Sequence, residues 1–354
     1  MRRHSGSSVL RGRSSCVWTV LLVGMIGCGT SPNSSSPGPA GATLVHAGAL
    51  SPSVIGYAWD QSVPGLRPIV GVSGASSLGA PIFGDDKYAS AVTSAQKQYA
   101  LLTDVKNRLF LALLPSGQPM ALSDGLSSKQ QVRLSPSGSA ALIYAPDQSS
   151  VILIQGLPQT PQLETISIPR SVAVNQAAVG DTGLVVIATG APGGTVVISS
   201  LTTSDTLGQI ATLSRFGGLS FLPRSTSLVM ADGGQNTVLL ASGLPNSTTL
   251  SQVADATQGI HQPFLLAASS DGRWATVANQ DASFVRVDLT MHSAPSVAKC
   301  GCSPTALIPL SGNSAFLVSD LSAGPLWMFD GDPVVSRVVF IAGLKQSATA
   351  GGLK

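Results

Sequence analysis

Tight turns recur along this chain at a nearly fixed spacing, and no other feature restricts its fold as strongly. VRLSPSGSAALIYA carries the turn Ser135-Pro136-Ser137-Gly138, and LLAASSDGRWATVA carries Ser269-Ser270-Asp271-Gly272. Similar punctuation stands at Gly180-Asp181-Thr182-Gly183, Pro223-Arg224-Ser225-Thr226 and Leu310-Ser311-Gly312-Asn313, with a degenerate copy at Ala95-Gln96-Lys97. Markers at residues 97, 138, 183, 226, 272 and 313 lie 41 to 46 residues apart. A second turn follows each marker, as at Asp104-Val105-Lys106-Asn107 and Asp232-Gly233-Gly234-Gln235. A further apolar burst follows that turn: RLFLALL, VILIQGL, TVVISSL, TVLLASGL, FVRVDL and PLWMFDG. Most units add a weaker fourth burst, as at residues 163–168 and 335–341.

Short apolar bursts separated by Gly, Ser, Asp or Pro read as strands. A repeat of about 40–45 residues with four strands per unit is the signature of a β-propeller. One small sheet cannot bury both of its faces alone, whereas a ring of stacked sheets can. Residues 43–87 precede the markers, and VIGYAWD and LRPIVGV within them read as one more strand pair. The expectation is an all-β chain with a seven-bladed propeller over residues 43–344, six blades being the alternative, and a C-terminal tail at 345–354. The strand at 334–342 is expected beside the N-terminal blade, closing the ring.

The units with Ser135-Pro136-Ser137-Gly138 and Phe284-Val285-Arg286-Val287-Asp288 resemble the YVTN and WD-repeat-like propellers of secreted bacterial proteins. Those pair a Ser-Pro-Asp-Gly turn with strands ending in Val-x-Val-Asp. The resemblance covers most of residues 88–342 and implies a fold, not a reaction. The Gly-His and Trp-Asp pairs of eukaryotic WD repeats are missing; Trp59-Asp60 reads as incidental.

The N-terminus gives an address. Arg2, Arg3, Arg11 and Arg13 precede an uncharged apolar stretch at residues 16–27, CVWTVLLVGMIG. A basic region followed by about 7–15 apolar residues is a secretion signal. Met25-Ile26-Gly27-Cys28 resembles the lipobox of bacterial lipoproteins, with Met25 departing from the usual leucine. The resemblance implies cleavage after residue 27, diacylglycerol on the Cys28 thiol and acylation, palmitate included, of the new amine. Residues 28–42 then form a Ser/Pro/Gly-rich tether, which holds a domain off a bilayer without burying surface of its own. Gly29 follows the cysteine where enterobacterial sorting uses Asp for inner-membrane retention, which points to the outer membrane.

Charge argues against nucleic acid. Only 10% of residues are charged, well below the usual fraction of about 25%. The four arginines before the apolar run leave with it, taking the formal balance from +3 to −1. No basic stripe remains to neutralise phosphates.

Candidate chemistry is sparse. His4 lies in the signal, and His46, His261 and His292 are scattered without metal spacing. Asp181, Asp232, Asp271, Asp281 and Asp320 all fall in turns, where Asp is favoured for local hydrogen bonding. Gly190-Ala191-Pro192-Gly193-Gly194 lacks the Lys-Ser/Thr of a phosphate loop and reads as a hairpin turn. Glu164 is the only glutamate, so a paired-carboxylate site would need aspartates. Ser269-Ser270-Asp271-Gly272-Arg273-Trp274 has the residues of a sialidase Asp box at the wrong spacing. Trp59, Trp274 and Trp327 are too few for a quinone-dependent propeller. No cofactor and no metal site is expected. Cys300-Gly301-Cys302 remains, read as a disulfide in an exported chain, against a soft-metal site or two unpaired thiols.

The innermost strands of the expected ring read ASAVT, QVRL, AAV, LSFL, FLLAA and ALIPL, and offer Arg133 and little else. That pattern favours a monomeric binding or scaffolding module of the cell envelope, held to the membrane by its N-terminal lipid. Its expected partner is a protein or an envelope polymer. In architecture it is similar to the propeller lipoprotein of the enterobacterial outer-membrane assembly machinery. The alternative is a lactonase-like hydrolase with its site in the central funnel.

Overall fold

The structure, a computed structural model, describes residues 53–343 except 147, 170–172, 191–193, 202–206, 292, 322–323 and 332–334. The signal at 1–27, Cys28, the tether at 28–42, the start of the expected propeller at 43–52 and the tail at 345–354 lie outside the described residues, as do His4, His46 and His292. Seven antiparallel sheets follow one another along the chain. Blade 1 holds β1 (Val54–Asp60), β2 (Gly65–Val72) and β3 (Ala75–Leu78). Blade 2 holds β4 (Tyr88–Thr93), β5 (Tyr99–Asp104), β6 (Leu109–Leu113) and β7 (Met120–Ser123); blade 3 holds β8 (Gln131–Leu134), β9 (Ala140–Tyr144), β10 (Ser150–Gln155) and β11 (Gln162–Ser167). Blade 4 holds β12 (Val174–Val179), β13 (Val185–Gly190), β14 (Val196–Leu201) and β15 (Leu207–Leu213); blade 5 holds β16 (Phe216–Phe221), β17 (Leu228–Asp232), β18 (Thr237–Ser242) and β19 (Thr249–Ala254). Blade 6 holds β20 (Pro263–Ala268), β21 (Trp274–Asn279), β22 (Ser283–Asp288) and β23 (Ser296–Lys299); blade 7 holds β24 (Ile308–Pro309), β25 (Ala315–Leu317), β26 (Trp327–Asp330) and β27 (Arg337–Phe340). The fold is a seven-bladed β-propeller, and six blades are excluded.

The recurring turns join the first and second strands of blades 2 to 7. Gly138, Gly183 and Gly272 have φ of +76°, +83° and +74°, and each donates its N–H to the carbonyl three residues back. A left-handed residue is needed there, and glycine adopts that conformation without a Cβ clash. Blade 2 fills the same place with Lys97 at φ +60°, which is why its marker is degenerate.

Burial falls from the second strand outward. YALLTD in β5, AALIY in β9 and LVMAD in β17 are buried throughout. QLETIS in β11 and TLSQVA in β19 are mostly exposed. Successive residues of a strand point to opposite faces, and here each face meets a different neighbour. Leu142 packs into the core between blades 3 and 4, and Ala141 and Ile143 pack into that between blades 2 and 3. Val229 and Ala231 likewise face blade 6, and Leu228 and Met230 face blade 4. The ring closes through Ile55, Ile69 and Leu78 of blade 1 against Leu310, Leu317, Met328 and Ile341. β27 itself belongs to blade 7; the residues after it reach blade 1, where Leu78 N donates to Ala342 O at 3.0 Å.

The second strands of blades 2, 5 and 6 end in a capping side chain. Asp104 accepts from Lys106 N and Arg108 N at 2.9 and 2.8 Å. Asp232 accepts from Gly234 N at 2.8 Å and from Ser214 N at 2.7 Å, and Asn279 accepts from His261 N at 3.0 Å. Asp60, at the end of β1, caps its own turn through Ser62 N at 2.9 Å. β1 also runs antiparallel to β4. Its first residue, Val54, accepts from Lys97 beyond the end of β4 at 2.5 Å, and Tyr57 and Trp59 near its end pack with Tyr88 at the start of β4. First strands elsewhere run parallel, as the contact of their turns shows: Asp181 of blade 4 accepts from Ser137 N of blade 3 and Arg224 N of blade 5, at 2.8 and 2.7 Å. The three strands of blade 1 therefore match the second, third and fourth of the other blades.

The aspartate of the Val-x-Val-Asp motif is a cap as well. Asp288, fully buried, accepts from Thr290 N and Met291 N at 3.0 Å each, from Ser293 Oγ at 2.8 Å and from Arg273 Nη2 at 2.9 Å. Burial alone would raise its pKa, but the Arg273 guanidinium and the donated hydrogen bonds outweigh it and hold the carboxyl well below its ordinary 3.8. The carboxyls of Asp60, Asp104, Asp181 and Asp232 are lowered in the same way. A depressed carboxylate stabilises the fold above its unfolded pKa and loses that contribution as pH falls through the folded value. Asp288→Ala should cost about 2–3 kcal/mol at neutral pH, because buried donors lose a charged acceptor. Unfolding titrations should show that difference shrinking as pH falls below about 4, toward the depressed values.

Candidate functional site

The first strands of blades 2 to 7, with β1, enclose a central channel of about 600 Å³. Its wall is formed by β1, β4, β8, β12, β16, β20 and β24 with adjoining turns. Local breaks in strand register shape it: β4, β12, β16 and β20 each carry one near their start. Such bulges bend a strand and re-aim its side chains. At Gly218, φ is +122° and β16 comes so close to β20 that a Cβ would stand 2.7 Å from Leu266 N.

Most of the wall is apolar. Ala91, Val132, Leu134, Ala177 and Leu219 line it, with larger surfaces from Trp59, Phe216 and Phe264. Arg133 and Asp320 are the charged residues among those described along it. Arg133 is exposed on β8 and its Nη2 donates to Gln131 Oε1 at 3.0 Å and Gln176 Oε1 at 3.4 Å. The Tyr144 hydroxyl, buried beneath, stands 2.8 and 3.0 Å from the same two oxygens. Burial raises the Tyr144 pKa, partly offset by the nearby Arg133 charge; the phenol stays protonated at neutral pH. The outcome is a guanidinium held by two amide oxygens that converge on one phenol hydroxyl, set in a largely apolar wall. Such a group can take a planar anion through its remaining N–H groups.

Sequence reasoning located Arg133 and missed its supports. Gln176 lies just ahead of AAV and is carried onto the wall by the register break in β12. Phe216 lies ahead of LSFL, across the bulge at Gly217-Gly218. The repeat marks turn positions, and an inserted bulge residue leaves no mark in it.

The other candidates are apart from the channel chemistry or at its rim. Asp271 accepts from Arg273 N at 3.0 Å and Asp281 from Ser283 N at 3.1 Å, each within its own turn. His261 is an exposed residue ahead of β20. Among the described residues no three His, Cys, Asp or Glu side chains gather as a metal site. Cys300 and Cys302 are joined as a disulfide between β23 and β24, with Cα atoms 5.0 Å apart. Both pack against the core between blades 6 and 7.

No known protein family matches the sequence, and no curated protein matches it. Solved structures do match in shape. A functionally unknown protein from Desulfotomaculum acetoxidans DSM 771 superposes with a TM-score of 0.55 at 15% identity, over 82% of this chain and 100% of its own. Apo AztD from Citrobacter koseri superposes with a TM-score of 0.52 at 10% identity, over 81% of each chain. At these identities the likeness is one of fold.

Arg133 makes no ion pair with a described residue and packs in no core, so Arg133→Ala should change unfolding stability by no more than about 0.5 kcal/mol. A larger loss in thermal or denaturant unfolding would make Arg133 a structural residue of blade 3.

Proposed function

We propose that this chain is a lipid-anchored binding module of the bacterial cell envelope, with the central channel as its ligand site. The observation that carries the reading is the Arg133 cluster: one preorganised guanidinium on a largely apolar wall that also carries Asp320. It suits a ligand or partner segment that presents an anionic group on an apolar body. Hydrolysis would instead need a nucleophile with a base, or a metal-held water. The anchor part of the proposal rests on the basic N-terminus, the apolar run at 16–27, Cys28 and the tether. The outer membrane is the proposed location, and a protein or envelope polymer the proposed partner.

Each buried methylene adds about 0.8 kcal/mol to membrane affinity, so two or three acyl chains hold a domain stably where one does not. Wild-type protein should take up a clickable palmitate analogue, and Cys28→Ser should not. Equal labelling of the two would remove the anchor. Pull-downs from detergent-solubilised envelopes should recover a partner with wild type and lose it with Arg133→Ala. Retention by the variant would take the channel guanidinium out of binding.

Export has a second consequence. The Cys300–Cys302 pair should be oxidised in the envelope, where thiols pair. Mass spectrometry after alkylation without reductant should find the peptide unalkylated and lighter by its missing thiol hydrogens. Full alkylation of both cysteines would show a reduced pair.

A further inference from the structure

We propose that the channel takes a small aromatic monocarboxylate, its carboxylate held by Arg133 and Gln176 and its ring set among Trp59, Phe216 and Phe264. This ligand class presupposes that the channel is a ligand site, as proposed above.

Three observations converge. First, Arg133 and Gln176 present donors to the channel. A guanidinium carries five N–H groups. Those on Arg133 Nη2 go to Gln131 Oε1 and Gln176 Oε1 at 3.0 and 3.4 Å, and one more can reach the Tyr144 hydroxyl. The others have no acceptor among the described residues. Gln176 Oε1 is taken up by Arg133 and Tyr144, so its Nε2 is left over, with no acceptor among the described residues, on a side chain that lines the channel. Such donors call for an acceptor, and a carboxylate oxygen meets them best, because hydrogen bonds between ionised partners are short and strong. Second, one negative charge fits better than two. Arg133 and Asp320 both line the channel. A dianion such as a phosphate monoester would bring a second charge into largely apolar surroundings without a partner, which is costly. Third, the aromatic side chains stand at the same end as the guanidinium. Phe216 opens β16, Phe264 is second in β20 and Gln176 third in β12. These strands run parallel, and Trp59 lies near the end of the antiparallel β1. Gln131 opens β8, and the Arg133 guanidinium reaches it.

Other ligands fit less well. A sugar needs many polar partners, yet the hydroxyls along the channel are engaged by their own chain. Ser220 Oγ accepts from Ala268 N, Ser269 Oγ donates to Asp271, and Ser270 Oγ donates to Gly312 O and Asn313. A purely apolar molecule would cover the Arg133 N–H groups without replacing their water, and buried donors left unmade are costly. An aromatic ring packs on other rings edge to face or offset, and a channel of about 600 Å³ is of the size that encloses a small organic ligand.

Isothermal titration calorimetry of the full chain with 4-phenylbutyrate, 4-phenylbutanol and phenyl phosphate tests this. Wild type should bind the acid about 10-fold or more tighter than the alcohol of the same skeleton, as one hydrogen bond between charged groups provides. Arg133→Ala should bind acid and alcohol within about three-fold of each other, since the charged donor is gone. Gln176→Glu, which sets an oxygen where Nε2 stands, should weaken the acid by about 10-fold and leave the alcohol unchanged. Equal affinity of wild type for acid and alcohol would overturn the proposal, as would no measurable binding of the acid. So would tighter binding of phenyl phosphate, or a preference for the acid that survives Arg133→Ala. The envelope pull-down keeps this apart from the proposed function. A partner lost with Arg133→Ala, together with indifference to the acid, would leave the channel a binding site and remove only its carboxylate ligand.

Discussion

A second strand in this ring belongs to two cores at once. Odd residues of β9 or β17 pack toward one neighbouring blade and even residues toward the other. That double burial is what lets such small sheets persist, because none has enough apolar surface of its own to hold its neighbours' faces from water. It also explains the hydropathy of the sequence. Second strands are therefore mostly apolar on both faces, whereas an ordinary half-exposed strand would alternate. With so much of each unit committed to two cores, few positions are left for charge.

The charges that remain are concentrated at strand ends. Asp60, Asp104, Asp232 and Asp288 satisfy backbone N–H groups of tight turns that the sheets cannot satisfy. Asp181 goes further and links turns of three successive blades. These carboxylates would each be candidate acids or ligands in isolation. Their hydrogen-bond sets are already filled by the chain, whereas Arg133 lines the channel with N–H groups to spare.

How far the sequence disclosed this depended on backbone conformation. Gly138, Gly183 and Gly272 sit where φ must be positive, so the chemistry of the turn is written as a residue type. Lys97 occupies the same conformation without glycine, and its unit is correspondingly faint. Blade number followed from the spacing of such turns, and VIGYAWD and LRPIVGV became β1 and β2. The position of β1 within its blade was less visible, because it depends on strand direction, which no single residue records. The channel wall was legible at Arg133, on a strand without a bulge, and hidden at Gln176 and Phe216, beside strands that carry one. Cys28 rests on the sequence alone.

The way the ring closes has an evolutionary corollary. Blades 2 to 7 are each one uninterrupted run of chain, and blade 7 is sealed to blade 1 by side chains, by the bridge between Ser77 and Ala342 and by Ser311 N donating to Ile55 O. Propellers that exchange a strand across the seam are committed to one pair of termini. Here blades 2 to 7 are whole units, and Ile341 and Ala342 reach across the seam, so a gene rearrangement that moved one of those modules along the chain would keep the interfaces among blades 2 to 7. Such an architecture can drift by duplication and circular permutation, and its units are free to diverge in sequence while the turns that set their spacing persist.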